Sequence, residues 1–238
     1  MLQTINLTKR YEDNLLAVDH VSFEVKEGEI FCLLGANGAG KTTTINLFLN
    51  FIDPTEGQAL INSIDSAKNP LEAKKYVSFV SENVMLYDNF SARQNLDFFA
   101  KVGGKDNLKK EDYYAAMRKV GLQENAFEMK LKNFSKGMRQ KLGITIAMIK
   151  DAPNILLDEP TSGLDPKAAS EFLKIISELK KEGKAIFMST HDIFRTRAIA
   201  DRVGIMKEGK LVMVCTREEF LKEDLEKIYL DYMEEMAA

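Results

Sequence analysis

The chain has 238 residues, 45% of them hydrophobic and 29% charged, with a net charge of −3. That length and balance suit a globular protein with a sizeable core. They exclude a global basic field that would gather nucleic acid, and no apolar run approaches the ~20 residues needed to span a bilayer. Residues 1–10 are polar and lack the apolar stretch of a secretory signal, so a cytoplasmic location is expected. Residues 19–34 read as strands around the Glu27-Gly28 turn and end in Ile30-Phe31-Cys32-Leu33-Leu34, a short apolar run suited to a strand buried on both faces. A glycine-rich loop follows, then a helical pattern over 41–50. Strands are expected at 57–62 and 76–80. Residues 91–150 are helical in pattern, with breaks near Gly103-Gly104 and Gly121. From Asn154 the alternation returns, with a strand at 155–157, a helix from about Pro166, a strand at 185–188, a helix, and strands at 202–207 and 211–215. Residues 217–235 read as a charged, amphipathic helical tail. Cys32 and Cys215 both lie in apolar runs and are expected to be buried thiols rather than a disulfide. Strands alternating with helices argue for a mainly parallel α/β sheet. The helical block in the middle then reads as an insertion.

Gly35-Ala36-Asn37-Gly38-Ala39-Gly40-Lys41-Thr42 fits G-x-x-x-x-G-K-[ST], after a strand and at the start of a helix. Phosphate oxygens need many donors in a small volume. Backbone N–H groups supply them where glycines keep Cβ atoms out of the way, and a helix N-terminus adds a favourable dipole. Lys41 is placed to neutralise β- and γ-phosphates, and the Thr42 hydroxyl to bind Mg²⁺, with Thr43 following in the first turn.

A second constellation ends the strand at 155–157, where Asp158 and Glu159 stand together. Ligands of open α/β sheets bind beyond the carboxyl ends of the strands. Asp158 is expected to hold the metal, directly or through water, and Glu159 to activate an attacking water. His191 ends the strand before it in the same way; it is one of two histidines, His20 being the other, in a polar turn. An imidazole there can hydrogen-bond a γ-phosphate or orient the water.

With these residues in place, the chain resembles the ATP-binding cassette (ABC) ATPases over nearly its whole length. Asn133-Phe134-Ser135-Lys136-Gly137-Met138-Arg139-Gln140 is similar to that family's signature, whose common form is Leu-Ser-Gly-Gly-Gln. Phe134, Lys136 and Met138 depart from it, while Ser135 and Gly137 keep a helix cap that can also serve a γ-phosphate and a close backbone approach. Ser162-Gly163-Leu164-Asp165 resembles the loop that crosses a dimer interface, and Ser189-Thr190-His191-Asp192 the segment of the switch histidine. Tyr11 resembles the aromatic that stacks on adenine. Phe79-Val80-Ser81-Glu82 resembles the segment that usually ends in glutamine; the carboxylate of Glu82 retains a capacity for Mg²⁺ or its water but has no amide to donate.

The resemblance implies a P-loop NTPase with a mainly parallel central sheet, an N-terminal antiparallel β subdomain and an inserted α-helical subdomain. Residues 1–85 and 154–216 would form the nucleotide-binding core, 86–153 the helical subdomain and 217–238 the helical tail. It further implies ATP and Mg²⁺, and a head-to-tail dimer, expected to be of identical chains, with ATP between the P-loop of one chain and Ser135, Gly137 and Asp165 of the other. A membrane permease would be a separate chain, with the ATPase peripheral on the inner face of the membrane. The signature variant, Glu82 and the short tail favour export over import. A cytosolic cassette acting on ribosomes or DNA usually carries two fused cassettes or a long coiled-coil insertion, and neither is visible. A binding module without hydrolysis fits poorly with Asp158, Glu159 and His191 all present. Between Glu82 and the helical block, Val84, Met85, Leu86, Tyr87 and Phe90 make an unusually apolar loop, much of which is expected to be core and the rest an interface. In the family this region receives a cytoplasmic helix of the permease, and Tyr87 and Phe90 are its candidate anchors.

Overall fold

A computed structural model describes residues 1–234; the last part of the expected helical tail, 235–238, lies outside the described residues. In chain order the elements are β1 (Leu2–Arg10), β2 (Leu16–Val25), β3 (Ile30–Leu34), α1 (Lys41–Phe48), β4 (Glu56–Ile61), β5 (Ile64–Asp65), α2 (Pro70–Ala73), β6 (Val77–Val80), α3 (Ala92–Val102), α4 (Lys110–Lys119), α5 (Lys136–Lys150), β7 (Asn154–Asp158), α6 (Pro166–Lys181), β8 (Ala185–Thr190), α7 (Ile193–Ile199), β9 (Arg202–Lys207), β10 (Lys210–Thr216), α8 (Arg217–Lys222) and α9 (Leu225–Glu234). Among the described residues no helix is long and apolar enough to cross a membrane.

The strands form two sheets. One is antiparallel in the order β2-β1-β4-β5, and the other runs β10-β9-β3-β8-β7-β6. In the second, β9, β3, β8, β7 and β6 are parallel and β10 is an antiparallel edge. β3 and β8 are buried along their full length, as covered faces require of central parallel strands. The two sheets meet at an aromatic core. Phe23 of β2 stacks on Phe31 of β3 at 4.9 Å and on Phe187 of β8 at 5.4 Å, and the Phe48 ring of α1 meets it edge-on. Such ring pairs contribute about 0.5–1.5 kcal/mol each beyond the area they bury. A second core runs from the other face of the sheet into α3, α4 and α5, through Leu96, Met117, Leu142 and Ile144. Both cysteines are buried and free; burial pushes the Cys215 thiol up to about 11 and the Cys32 thiol higher still.

Register is what builds the site. Leu34 pairs with Thr190 and Asp158 with Ser189. The carboxyl ends of β3, β8 and β7 therefore stop at one level, and Gly35, His191 and Glu159 leave the sheet side by side.

The structure differs from the sequence reading in four places. β1 lies within a stretch taken only as polar. Its alternation is broken at Asn6 (φ 45°), where the pairing slips, and its buried face includes Thr4 and Thr8 as well as Leu2 and Leu7. His20 lies inside β2, not in a turn, with Nδ1 2.6 Å from Asp19 Oδ1. The block at 91–150 is not helical throughout: short 3₁₀ turns at Glu124–Ala126 and Leu131–Asn133 separate α4 from α5. The tail is two helices, broken where Asp224 takes a left-handed backbone (φ 63°).

Candidate functional site

β3 delivers the chain into a loop whose last residue, Gly40, has φ 109°. A Cβ there would stand 2.2 Å from the carbonyl oxygen of Ala17 in β2, so only glycine fits. α1 starts directly after it with no side chain capping its first turn, which leaves those N–H groups free for an anion. Ala36, Asn37 and Gly38 are exposed, whereas Gly35, Ala39 and Gly40 are buried against the sheet. Lys41 is buried. Its ammonium folds back over the loop and donates to the carbonyls of Gly35 (2.7 Å) and Ala36 (3.1 Å). Thr42 is exposed and Thr43, the next residue of the first helical turn, partly so.

The carboxylates close on this loop from β7. Thr42 Oγ1 donates to Asp158 Oδ1 at 3.2 Å, and Ser189 Oγ donates to the same oxygen at 2.5 Å. Glu159 adopts φ 44°, a left-handed conformation uncommon for a residue with a side chain, and its N–H is fixed on the Ser189 carbonyl at 3.1 Å. That turn points the carboxylate inward. Oε2 lies 2.9 Å from His191 Nδ1, and Oε1 lies 3.4 Å from Lys41 Nζ. Oε1 is buried with no hydrogen-bond partner. A buried carboxylate oxygen is costly to leave unsatisfied, so this atom marks a place where a water or a ligand group completes the site.

Lys41, Thr42, Asp158, Glu159 and His191 are thus brought together. Tyr11 lies apart, on the turn after β1, about a third exposed with Lys9 Nζ 5.4 Å above its ring. Ser135 caps α5, accepting from Met138 N–H at 3.3 Å, and Asp165 caps α6, accepting from Ala168 N–H at 2.9 Å. With Gly137 they line a separate open hollow that also includes Lys167 and Glu171. Glu82 does not join Thr42 and Asp158: its Oε1 accepts from Ser162 Oγ at 2.8 Å and stands 3.6 Å from Lys136 Nζ. Two residues quoted only as parts of motifs have positioning roles that the sequence did not assign. Ser189, read with the switch-histidine segment, holds both Asp158 and the Glu159 backbone. Gln140, fully buried, donates to the carbonyls of Ser81 and Glu82 and pins that segment to α5; an amide among the buried positions of α5 is the signal that could have found it.

The sequence profile described as ABC transporter matches residues 18–162, which takes in the glycine loop, the α5 cap and both carboxylates. The chain belongs to the ABC transporter family. It is 39% identical over 235 residues to the bacitracin transport ATP-binding protein BcrA of Bacillus licheniformis, covering 98% of this chain and 74% of that one. A solved ATP-binding subunit of an ABC transporter superposes with a TM-score of 0.86 at 27% identity, over 98% of this chain and all of the other. A dimeric ATP-binding cassette in a post-hydrolysis state, bound to ADP and Pi, superposes with a TM-score of 0.82 at 26% identity, over 91% and 99% of the two chains. The chain is accordingly a P-loop ATPase with ATP as its nucleotide and Mg²⁺ as the metal partner of hydrolysis. ATP-binding subunits of this family dimerise and pair with membrane permeases.

Proposed function

We propose that this chain hydrolyses ATP at the Lys41–Glu159 cluster, in a dimer with a second copy of itself, and drives export through a separate membrane permease, on which it sits at the inner face of the cell membrane. The observation that carries the reading is the buried Glu159 carboxylate at the mouth of a phosphate-type loop, with Oε2 on His191 and Oε1 3.4 Å from the Lys41 ammonium but without a hydrogen-bond partner.

The residues present fit the nucleotide. N–H groups of residues 35–43 face the phosphates, Tyr11 offers its ring to the adenine, and Lys41 exchanges its Gly35 and Ala36 carbonyls for phosphate oxygens. Thr42 and Asp158, already joined at 3.2 Å, would hold Mg²⁺, which supplies positive charge to the phosphates. Glu159 takes the proton of the attacking water, and His191 fixes the carboxylate for that transfer. Ser135, Gly137 and Asp165 lie outside this cluster and serve the nucleotide of the partner copy.

Export and a separate permease rest on the signature variant and the Glu82 replacement, and a relative named for bacitracin transport supports export. The testing experiment is Glu159→Gln, which keeps shape and removes the base. Hydrolysis should fall by ~10²-fold or more, with ATP binding retained and an ATP-bound dimer accumulating by sedimentation. Near-normal turnover would remove Glu159 from the role. Ser135→Arg tests the shared site: it should spare ATP binding by the monomer and block hydrolysis, and loss of monomer binding would place Ser135 in its own chain's site.

A further inference from the structure

Lys136 and Glu82 are the two charged departures from the family pattern, and they face each other. Lys136 opens α5 and Glu82 follows β6, yet Lys136 Nζ stands 3.6 Å from Glu82 Oε1. The same oxygen accepts from Ser162 Oγ at 2.8 Å, so one carboxylate joins three chain segments. The contact has a dedicated path. The Lys136 side chain lies flat across Gly163 (φ 67°), where a Cβ would meet Nζ at 3.1 Å and Cδ at 3.6 Å. Both charges are partly open to solvent, 37% for Lys136 and 42% for Glu82. Exposure of that order makes the pair weak and readily exchanged for a stronger partner. The backbone of Glu82 is meanwhile fixed by Gln140, so its carboxylate cannot follow a departing lysine far.

We propose that Glu82 is the resting counter-ion of Lys136 and a positioning residue for it: Lys136 leaves Glu82 for the terminal phosphate of the partner copy's ATP when the dimer closes. The inference rests on the shared site proposed above. A dianionic terminal phosphate with three non-bridging oxygens outcompetes one half-exposed carboxylate for an ammonium, because charge-assisted bonds to several oxygens replace a contact at 3.6 Å. Glu82 thereby opposes dimerisation in the absence of nucleotide and gives the signature cation a defined starting position beside Ser162 and Gly163. Neutralising Glu82 frees the lysine in advance, and neutralising Lys136 leaves Glu82 with nothing to restrain.

The test is a double-mutant cycle on ATP-driven dimerisation, measured by sedimentation in the hydrolysis-blocked Glu159→Gln chain with MgATP. Glu82→Gln should tighten the dimer about two- to fivefold, the range of a half-exposed ion pair, with the effect shrinking at high salt. Lys136→Gln should loosen it. In the Lys136→Gln background, Glu82→Gln should do nothing; the opposite signs of the two single effects are what a purely structural pair would not give, because breaking such a pair from either side shifts dimerisation the same way. Additive effects overturn the proposal. So does a Glu82→Gln effect that persists without Lys136 and varies with Mg²⁺ concentration, which would make Glu82 a metal residue. If Glu159→Gln forms no ATP-dependent dimer at all, the shared site itself fails and this inference falls with it; a normal dimer with an additive cycle sinks only the coupling.

Discussion

His191 Nδ1 stands 2.9 Å from Glu159 Oε2, and the two side chains differ in exposure, the imidazole at 56% and the carboxylate at 13%. An exposed ring thus holds a buried carboxylate and leaves its other oxygen toward Lys41. His191→Ala releases that constraint without touching the phosphate loop. Hydrolysis should fall by about 10²-fold through kcat, with KM for ATP little changed, since the contribution lies in orienting the base rather than in binding. Steady-state ATPase measurements decide it: a rise in KM with kcat intact would make His191 a binding residue.

Lys41 is buried with its ammonium shared among the Gly35 and Ala36 carbonyls and Glu159. Lys41→Ala removes the cation meant for the phosphates. Saturating MgATP should raise the melting temperature of the native chain, because a ligand at 100 times its Kd adds about 2.7 kcal/mol to folded-state stability. The variant should show no such rise. A rise equal to that of the native chain would put the phosphates elsewhere.

Tyr11 is about a third exposed, and its ring already carries a cation, Lys9 Nζ, 5.4 Å from the centroid. Stacking on a base is therefore its available chemistry. Tyr11→Ala should weaken ATP binding by ~1–3 kcal/mol, a magnitude taken from base–aromatic contacts, and GTP should compete nearly as well as ATP because a ring face does not read base edges. Unchanged affinity on equilibrium titration would move adenine away from Tyr11.

The phosphate loop and Asp158–Glu159 were legible because their chemistry is local: glycine spacing and a strand ending in acids are visible in consecutive residues. The buried strands at 30–34 and 185–188 were legible because those residues of covered parallel strands carry no polar interruption. β1 was not, since a bulge at Asn6 shifts its alternation and two threonines sit on the inner face. Nor were Ser189, Gln140 and the Glu82–Lys136 pair. Each acts on a segment between 30 and 60 residues away in sequence, and only the parallel register and the packing of α5 on β6 bring the partners together.

The loop before α3 carries the expectation about the permease. Tyr87, Phe90, Phe98 and Phe99 form a cluster of touching rings, with Tyr87 5.1 Å from Phe90 and 4.9 Å from Phe98. Met85 is 85% exposed, Tyr87 47% and Phe90 38%, so this patch is surface rather than core, and an exposed aromatic patch is the usual mark of an interface. What holds the loop is instead Asn95, fully buried on α3, which accepts from the Tyr87 N–H at 2.9 Å and donates to the Tyr87 carbonyl at 3.1 Å. The backbone is fixed independently of the rings. Tyr87→Ala and Phe90→Ala should therefore leave the melting temperature within a few degrees of native and spare the ATPase rate of the isolated subunit. Retention on membranes containing the permease should fall about tenfold or more, as loss of a central aromatic anchor does. Asn95→Ala serves as the contrast: it strips the Tyr87 N–H of its acceptor and leaves the Tyr87 carbonyl only the Phe90 N–H, so it should lower the melting temperature as well as retention. If the two aromatic variants lose stability and ATPase activity together with retention, the rings support the fold and the docking surface lies elsewhere. If they keep retention on the membranes as well, the patch is idle in transport.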